Sequence, residues 1–257
     1  VRLSSRQRKI LSLLHGGTYL EVKDLAQLLH VDASTIRRDL QGLTAEGLIE
    51  RRHGGAILRH TTDSHFSHAL SNETEHLAVA KAAYRMLKDG DSLTLASGPI
   101  STLLALSLLD MQDLTIITND LNSAMTLSAN PTFKVHIPGG ELRESPAHTV
   151  SGTKAEAFLI EQRTAWSFIE VEGIHPYSGF TISATWQTGI TRMLLQAGKR
   201  KCVMADSMAF GRRCVGFVSE TNSANLIMTD ELLNDYELPA FGGRVMRIAR
   251  DPRDLLA

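Results

Sequence analysis

Val31-Asp32-Ala33-Ser34-Thr35-Ile36-Arg37-Arg38-Asp39-Leu40-Gln41-Gly42-Leu43 is the stretch that decides how this chain is read. An Asp ahead of a helical run accepts from the free N–H groups of the first turn, so Asp32 marks a helix start. Ile36, Leu40 and Leu43 then recur at helical spacing and form one apolar stripe that docks on a core. A rotation of about 100° per residue turns Ser34, Arg38 and Gln41 to the opposite side, with Thr35 and Arg37 on the flanks. Such a basic face, rich in hydroxyl and amide groups, hydrogen-bonds base edges and phosphates in a major groove.

The flanking sequence completes a module around that helix. Ser4 to His15 sets Ile10, Leu11, Leu13 and Leu14 among Arg6, Arg8 and Lys9, and Gly16-Gly17 stops the run, which predicts a first helix. Val22 to His30 predicts a second, joined to the capped helix by a tight turn at Val31 and Asp32. Leu48-Ile49 and Ala56-Ile57 flank the basic, glycine-containing bend Glu50-Arg51-Arg52-His53-Gly54-Gly55, the pattern of a small hairpin, or wing. Arg51 and Arg52 are its candidate contacts to a phosphate or minor groove. Residues 1–57 therefore read as a winged helix-turn-helix DNA-binding domain. An ordinary three-helix element with solvated charges would share the stripe and the cap, but not the paired arginines and basic bend as well.

Charge is distributed accordingly. The formal net charge of the 257 residues is -1, yet residues 1–60 hold ten Lys and Arg against six Asp and Glu, and the remainder 17 against 22. The basic end is the nucleic-acid end. Residues 58–72, polar and without periodicity, read as a linker. His60, His65 and His68 fall there, but without Cys or a further ligand-spaced pair they read as solvated, and no metal or cofactor is expected. Cys202 and Cys214 show no paired motif and read as ordinary thiols. With no bilayer-length apolar run and no leader pattern, a cytoplasmic location is the expectation.

From residue 73 to 257 helical patterns alternate with short apolar strands, the signature of an α/β layer architecture. Strands are predicted at Ser92–Ala96, Leu114–Thr118, Lys134–Pro138, Trp166–Val171, Lys201–Ala205 and Asn225–Met228, and helices at Glu73–Leu87, Leu103–Leu109, Thr153–Glu161 and Gln187–Ala197. In a parallel sheet the loops after the strands gather on one rim. The rim candidates for binding a small polar ligand are Ser97, Gly98, Ser101, Thr102, Asn119, Asp120, Gly139, Gly140, Arg143, Glu172 and Asp206. Ser97 to Thr102 reads as a hydroxyl-bearing loop that delivers free N–H groups at a helix N-terminus. Each of these residues has a plainer role as a turn or cap; their shared position makes them candidates.

Arg6, Ile10 and Leu14, then Thr35-Ile36-Arg37-Arg38-Asp39-Leu40 and the bend Arg52-His53-Gly54-Gly55-Ala56, resemble the DeoR family of bacterial sugar-metabolism transcriptional regulators. Asp32 stands where that family usually has Ser, and either residue caps a helix. Thr118-Asn119, Pro138-Gly139-Gly140-Glu141-Leu142-Arg143 and Ala205-Asp206-Ser207 extend the resemblance through the second domain. It implies a ribose-5-phosphate-isomerase-like sensor fold and a repressor of a carbohydrate-utilisation operon, released by a sugar phosphate or related sugar derivative. It also implies operator DNA as partner and a homo-oligomer, dimer or tetramer. The chain departs from the family pattern at several points. Ala96-Ser97-Gly98-Pro99-Ile100-Ser101 replaces the usual Asp, Ser, Gly, Thr, Thr, Thr; Asp120 replaces Ser; Glu172 stands where Asp is common; Met208 and Ala209 replace Ser and Lys. Loss of that ammonium, with Arg143, Arg212 and Arg213 as the available cations, leads us to expect an inducer carrying less negative charge. The competing readings are a sugar-phosphate isomerase-like enzyme with an accessory DNA-binding domain, which the missing lysine opposes, and a ligand-independent DNA-organising protein.

Overall fold

The computed structural model describes residues 4, 6, 7, 10, 13, 14, 19–29, 31–45, 49–52, 54–58, 73–143 and 148–249. Of the predicted first helix, Arg6, Gln7, Ile10 and Leu13 are helical among the described residues. β1 (Leu20–Glu21) leads into α1 (Val22–Leu28), and α2 (Ala33–Ala45) follows. The turn between the helices is closed by the Val31 N–H donating to the Ala26 carbonyl at 3.0 Å. α2 starts after Asp32, where the sequence placed its beginning, and the contact to its first turn is made by the Asp32 main-chain carbonyl, which accepts the N–H of Thr35 and of Ile36, rather than by the side chain expected to cap it. Ile36, Leu40 and Leu43 are wholly buried against Ile10, Leu14, Leu25 and Ile49.

β2 (Ile49–Arg52) and β3 (Gly55–Leu58) form the wing, antiparallel, with Arg51 opposite Ala56 and Arg52 opposite Gly55. β3 also pairs with β1, so the order is β1-β3-β2. That pairing explains the glycine at 55: a Cβ there would lie 2.2 Å from the Leu20 carbonyl oxygen. β3 runs one residue into the interval read as linker, and residues 59–72, with the three histidines considered as ligands, lie outside the described residues.

The larger part is built on seven parallel strands. These are β4 (Ser92–Leu95), β5 (Thr115–Thr118), β6 (Lys134–His136), β9 (Thr164–Glu170), β12 (Gly198–Met204), β14 (Leu226–Asp230) and β15 (Val245–Ile248). Their order is β15-β14-β12-β9-β4-β5-β6. The chain winds outward through β4, β5 and β6, returns to lay β9 beside β4, and winds outward the other way. Between β4 and β9 the direction of winding reverses, and in such sheets the crevice beyond that reversal is where ligands bind.

Period-two alternation divides the core into two layers. Leu93, Leu95, Trp166, Phe168, Cys202 and Met204 face α3 (Glu73–Tyr84) and α4 (Pro99–Leu108). Ile169, Val203 and Ile227 face α6 (Thr153–Ile160) and α7 (Thr188–Ala197). Cys202 is buried, which pushes its thiol up, and Cys214 is half-buried; both are free, as read from sequence.

Three features depart from the sequence expectation. The helix expected from Leu103 starts at Pro99, because proline at the first helical position has its φ preset and lacks an N–H that would go unused. Ile100, Ser101 and Thr102 are therefore its first turn, not a loop. β15, two residues beyond a glycine pair, carries too little alternation to stand out in sequence. Two small antiparallel sheets are added, one of β7 (Glu141–Arg143) with β8 (Thr149–Ser151), the other of β10 (Gly173–His175), β11 (Gly179–Ile182) and β13 (Gly216–Ser219). The winged domain's core is closed in part by the far end of α4: Leu109 is buried in it, with Leu106 and Phe133 packed alongside.

Candidate functional site

The first site is the outer face of α2. Because Ile36, Asp39, Leu40 and Leu43 point inward, Ser34, Arg37, Arg38 and Gln41 are exposed and Thr35 is half-buried at the edge. Among the described residues, Arg37, Arg38 and Arg51 have no carboxylate partner, so their charges are free for an incoming phosphate or base. Arg52 pairs with Glu50 on its own strand at 3.3 Å, both exposed, a contact of little energetic weight that a phosphate displaces readily. The helix is braced from behind by an ion pair the sequence reading did not single out. The Arg6 Nε donates to the buried Asp39 carboxylate at 2.5 Å.

The second site is the crevice at the β4/β9 reversal. Ser97 and Gly98 end β4 and begin α4, and the carboxylate of Glu170, last residue of β9, lies directly on Gly98: a Cβ added there would be 2.4 Å from the Glu170 Cδ. Glu170 Oε1 accepts the Ser101 main-chain N–H at 2.5 Å. Burial pushes the Glu170 carboxyl up to about 7, against hydrogen bonds from the Ser101 N–H and the Ser101 side chain and the charge of His76, which favour its ionised form. His76, on α3, is buried and faces Asp206 after β12, Nε2 to Oδ2 3.4 Å. Burial opposes its charged form but is outweighed by the Asp206 hydrogen bond and the charges of Glu170, Asp206 and Asp230, so it titrates above its ordinary value. Asp230 accepts the N–H groups of Ser207 and Leu232 at 2.7 and 2.9 Å.

The predicted crevice residues thus divide. Ser97, Gly98, Ser101 and Asp206 gather here. Thr102 donates its hydroxyl to the Gly98 carbonyl, within its own helical turn. Asn119 and Asp120, after β5, are buried and tie that strand to β8: the Asn119 amide donates to the Val150 carbonyl at 3.3 Å. Asp120 caps α5 (Leu121–Leu127), accepting from the Asn122 N–H and the Ser123 hydroxyl, and burial raises it. Gly139 and Gly140 follow β6, and a Cβ on Gly140 would lie 2.4 Å from the Ser151 carbonyl oxygen, so this glycine serves a close approach. Arg143 pairs with Glu141 at 3.5 Å and lies over the Trp186 ring. Glu172 is exposed and holds Ser183 by its N–H and hydroxyl.

Glu170, His76 and Asp230 were missed. His76 had a signal, a titratable side chain on the apolar stripe of α3. Glu170 had only a strand end, and the choice between it and Glu172 depends on where β9 stops.

A winged helix-turn-helix with an exposed basic face, followed by an α/β domain with polar residues gathered at the winding reversal, defines a class: a DNA-binding module joined to a larger α/β domain. Comparison with known proteins makes this specific. The DeoR-like helix-turn-helix domain matches residues 6–62 and the DeoR C terminal sensor domain residues 71–231. The chain belongs to the DeoR family of helix-turn-helix transcriptional regulators. It is 28% identical over 253 residues to the HTH-type transcriptional regulator YulB of Bacillus subtilis, covering 97% of each chain. It is 26% identical over 254 residues to the glycerol-3-phosphate regulon repressor of Escherichia coli, covering 98% of this chain and 97% of that one. Among solved structures, ribose 5-phosphate isomerase A of Methanocaldococcus jannaschii is similar at a TM-score of 0.40 and 15% identity, over 54% of this chain and 55% of the other. No helix among the described residues is long and apolar enough to cross a membrane.

Proposed function

We propose that this chain represses a carbohydrate-utilisation operon and releases its operator when a sugar-derived effector occupies the β4/β9 crevice. Ser34, Thr35, Arg37, Arg38 and Gln41 read the major groove while Arg51 and Arg52 hold the wing to the backbone. The carrying observation is the pair Arg37 and Arg38, exposed on a helix whose other side is locked into a core. The division into residues 1–57, linker 58–72 and 73–257 fits this assignment. A second copy of the chain supplies the second half-site. The exposed apolar side chains of Tyr177, Val215 and Phe217 near the β10-β11-β13 sheet are the surface we assign to it, with Tyr177 90% and Val215 88% exposed.

The route of control is α4. Its first turn holds the crevice, and its last turn and Leu109 pack into the DNA-binding core, so a ligand that moves one end shifts the seat of the other. The enzymatic alternative is weaker. The relatives compared carry regulator and repressor names, Ala209 is a buried apolar residue, and Glu172 is bound to Ser183.

The test is a gel-shift titration of the full chain on DNA upstream of its own operon at several salt concentrations. Retention that weakens steeply with salt and is lost in Arg37→Ala/Arg38→Ala supports the assignment; equal retention by the double variant refutes it.

A further inference from the structure

α2 is held along its flank as well as from behind. The helical period puts Ile36, Leu40 and Leu43 on one side and Ser34, Arg38 and Gln41 on the other. Asp39 and Gly42, three apart, fall along one boundary between those sides, and each follows an outward-facing residue, Arg38 and Gln41. Both are gripped by the start of the N-terminal helical segment. The Arg6 guanidinium takes the buried Asp39 carboxylate in a fork, Nε to Oδ2 at 2.5 Å and Nη2 to Oδ1 at 3.4 Å. The Gln7 amide lies against Gly42, where an added Cβ would be 3.1 Å from its Nε2. Glycine is disfavoured inside a helix, and here it leaves the space that Gln7 occupies. Arg6 and Gln7 are themselves fixed by a capping box: the Gln7 N–H donates to the Ser4 hydroxyl at 3.1 Å, and the Ser4 N–H donates to the Gln7 side-chain oxygen at 2.9 Å.

An ion pair with one partner partly exposed adds modestly at most to stability, and burying an acid has a cost, so stability alone does not account for Asp39 on this helix. Direction does. Apolar burial is non-directional and decides which face of α2 turns inward. A forked, charge-assisted pair is directional and decides the angle at which that face sits. With side chains ending about 5 to 6 Å from a helix axis, a rotation of about 10° carries each tip about 1 Å, enough to spoil a two-bond contact to a base edge.

We infer that Arg6 is a positioning residue for base reading: acting through Asp39, with Gln7 seated at Gly42, it sets the rotation of α2 about its own axis and with it the alignment of Arg38 and Gln41 on base edges. This rests on α2 being the helix that reads the major groove, as proposed above. Arg6 itself touches no DNA in this arrangement. Its loss therefore lowers sequence discrimination and leaves intact the phosphate contacts that govern salt dependence.

The experiment is fluorescence anisotropy of the full chain at several salt concentrations on two duplexes of equal length: the segment protected in footprinting of the DNA upstream of its own operon, and the same segment with its bases shuffled. Asp39→Asn keeps the size and removes the charge; Arg6→Lys keeps the charge and loses the fork. Each is expected to lower the preference for the protected segment by about tenfold, within the range of one bidentate base contact, with affinity for the shuffled duplex within about twofold of wild type and its salt slope not reduced. Arg6→Ala is expected to lose more of the preference than Arg6→Lys. Folded Asp39→Asn and Arg6→Lys that both keep the wild-type preference overturn the inference. So does a folded Arg6→Ala that weakens both duplexes alike and reduces the salt slope by about one, which would make Arg6 a phosphate contact in its own right. Should Asp39→Asn fail to fold, seen as loss of both duplexes, Arg6→Lys carries the same expectation. These failures leave wild-type operator binding standing, whereas a wild type that protects no segment, or binds both duplexes equally, would sink the groove-reading assignment and this inference with it.

Discussion

Replacing Glu170 by Gln is expected to change the pH dependence of stability in a direction that follows from its position. In the folded protein burial raises this carboxyl from 4.5 to about 7, and the unfolded chain keeps the lower value. Between those two values the folded state binds a proton that the unfolded state has lost, so stability is fully present below about pH 4.5 and falls as pH rises through 7. Each tenfold in proton affinity corresponds to about 1.4 kcal/mol, which makes the penalty for the ionised carboxylate about 3 kcal/mol. Gln does not titrate, and its amide oxygen can still accept the Ser101 N–H. The variant's stability relative to wild type should therefore grow by about 3 kcal/mol between pH 4.5 and 8, read by urea unfolding at constant ionic strength. His76, also raised, loses its contribution in the same direction in both proteins. It is raised less once Glu170 is neutral, so the variant loses less of this contribution as pH rises, which adds to the difference in the same direction. A difference that stays flat, or shrinks, across this range would refute the placement of an ionisable carboxylate on the α4 N-terminus.

Other perturbations have equally definite outcomes. Arg38→Ala should weaken operator binding by about 1 to 3 kcal/mol if the guanidinium makes a bidentate base contact, seen as a loss of discrimination between operator and random DNA. Arg51→Ala should weaken both DNAs alike and reduce the salt slope by about one. Asp39→Asn, which breaks the pair with partly exposed Arg6, should lower the thermal unfolding midpoint of the chain, by less than the loss of a fully buried pair would. Leu109→Ala removes a buried side chain shared by the two domains and should cost about 2 to 4 kcal/mol in chemical unfolding while loosening the response of DNA affinity to effector.

The exposed basic face of α2 was legible before any fold was known, because a helix of fixed period turns residue identity into angular position. Ile36, Leu40 and Leu43 must share one side, and Ser34, Arg38 and Gln41 the other. Six of the seven parallel strands were legible for the same reason, to within two residues at their ends except β12, which starts three residues before the expected Lys201, at Gly198. The basic bend at Gly54 and Gly55 was visible, but the cause of its second glycine, the approach of the Leu20 carbonyl, was not.

The crevice is another matter. Residues 98, 101 and 170 meet only because the chain, after three strands wound one way, returns to place β9 against β4, a choice made by burial across the whole sheet. Glu170 and Glu172 have the same parity and the same chemistry. What separates them is that β9 ends at 170, leaving one carboxylate under a helix end and the other outside, bound to Ser183. Local periodicity thus determined which basic surface α2 leaves exposed, and long-range strand order decided which acid stands under the α4 N-terminus, because contacts between residues about seventy positions apart have no signature in the spacing of either segment.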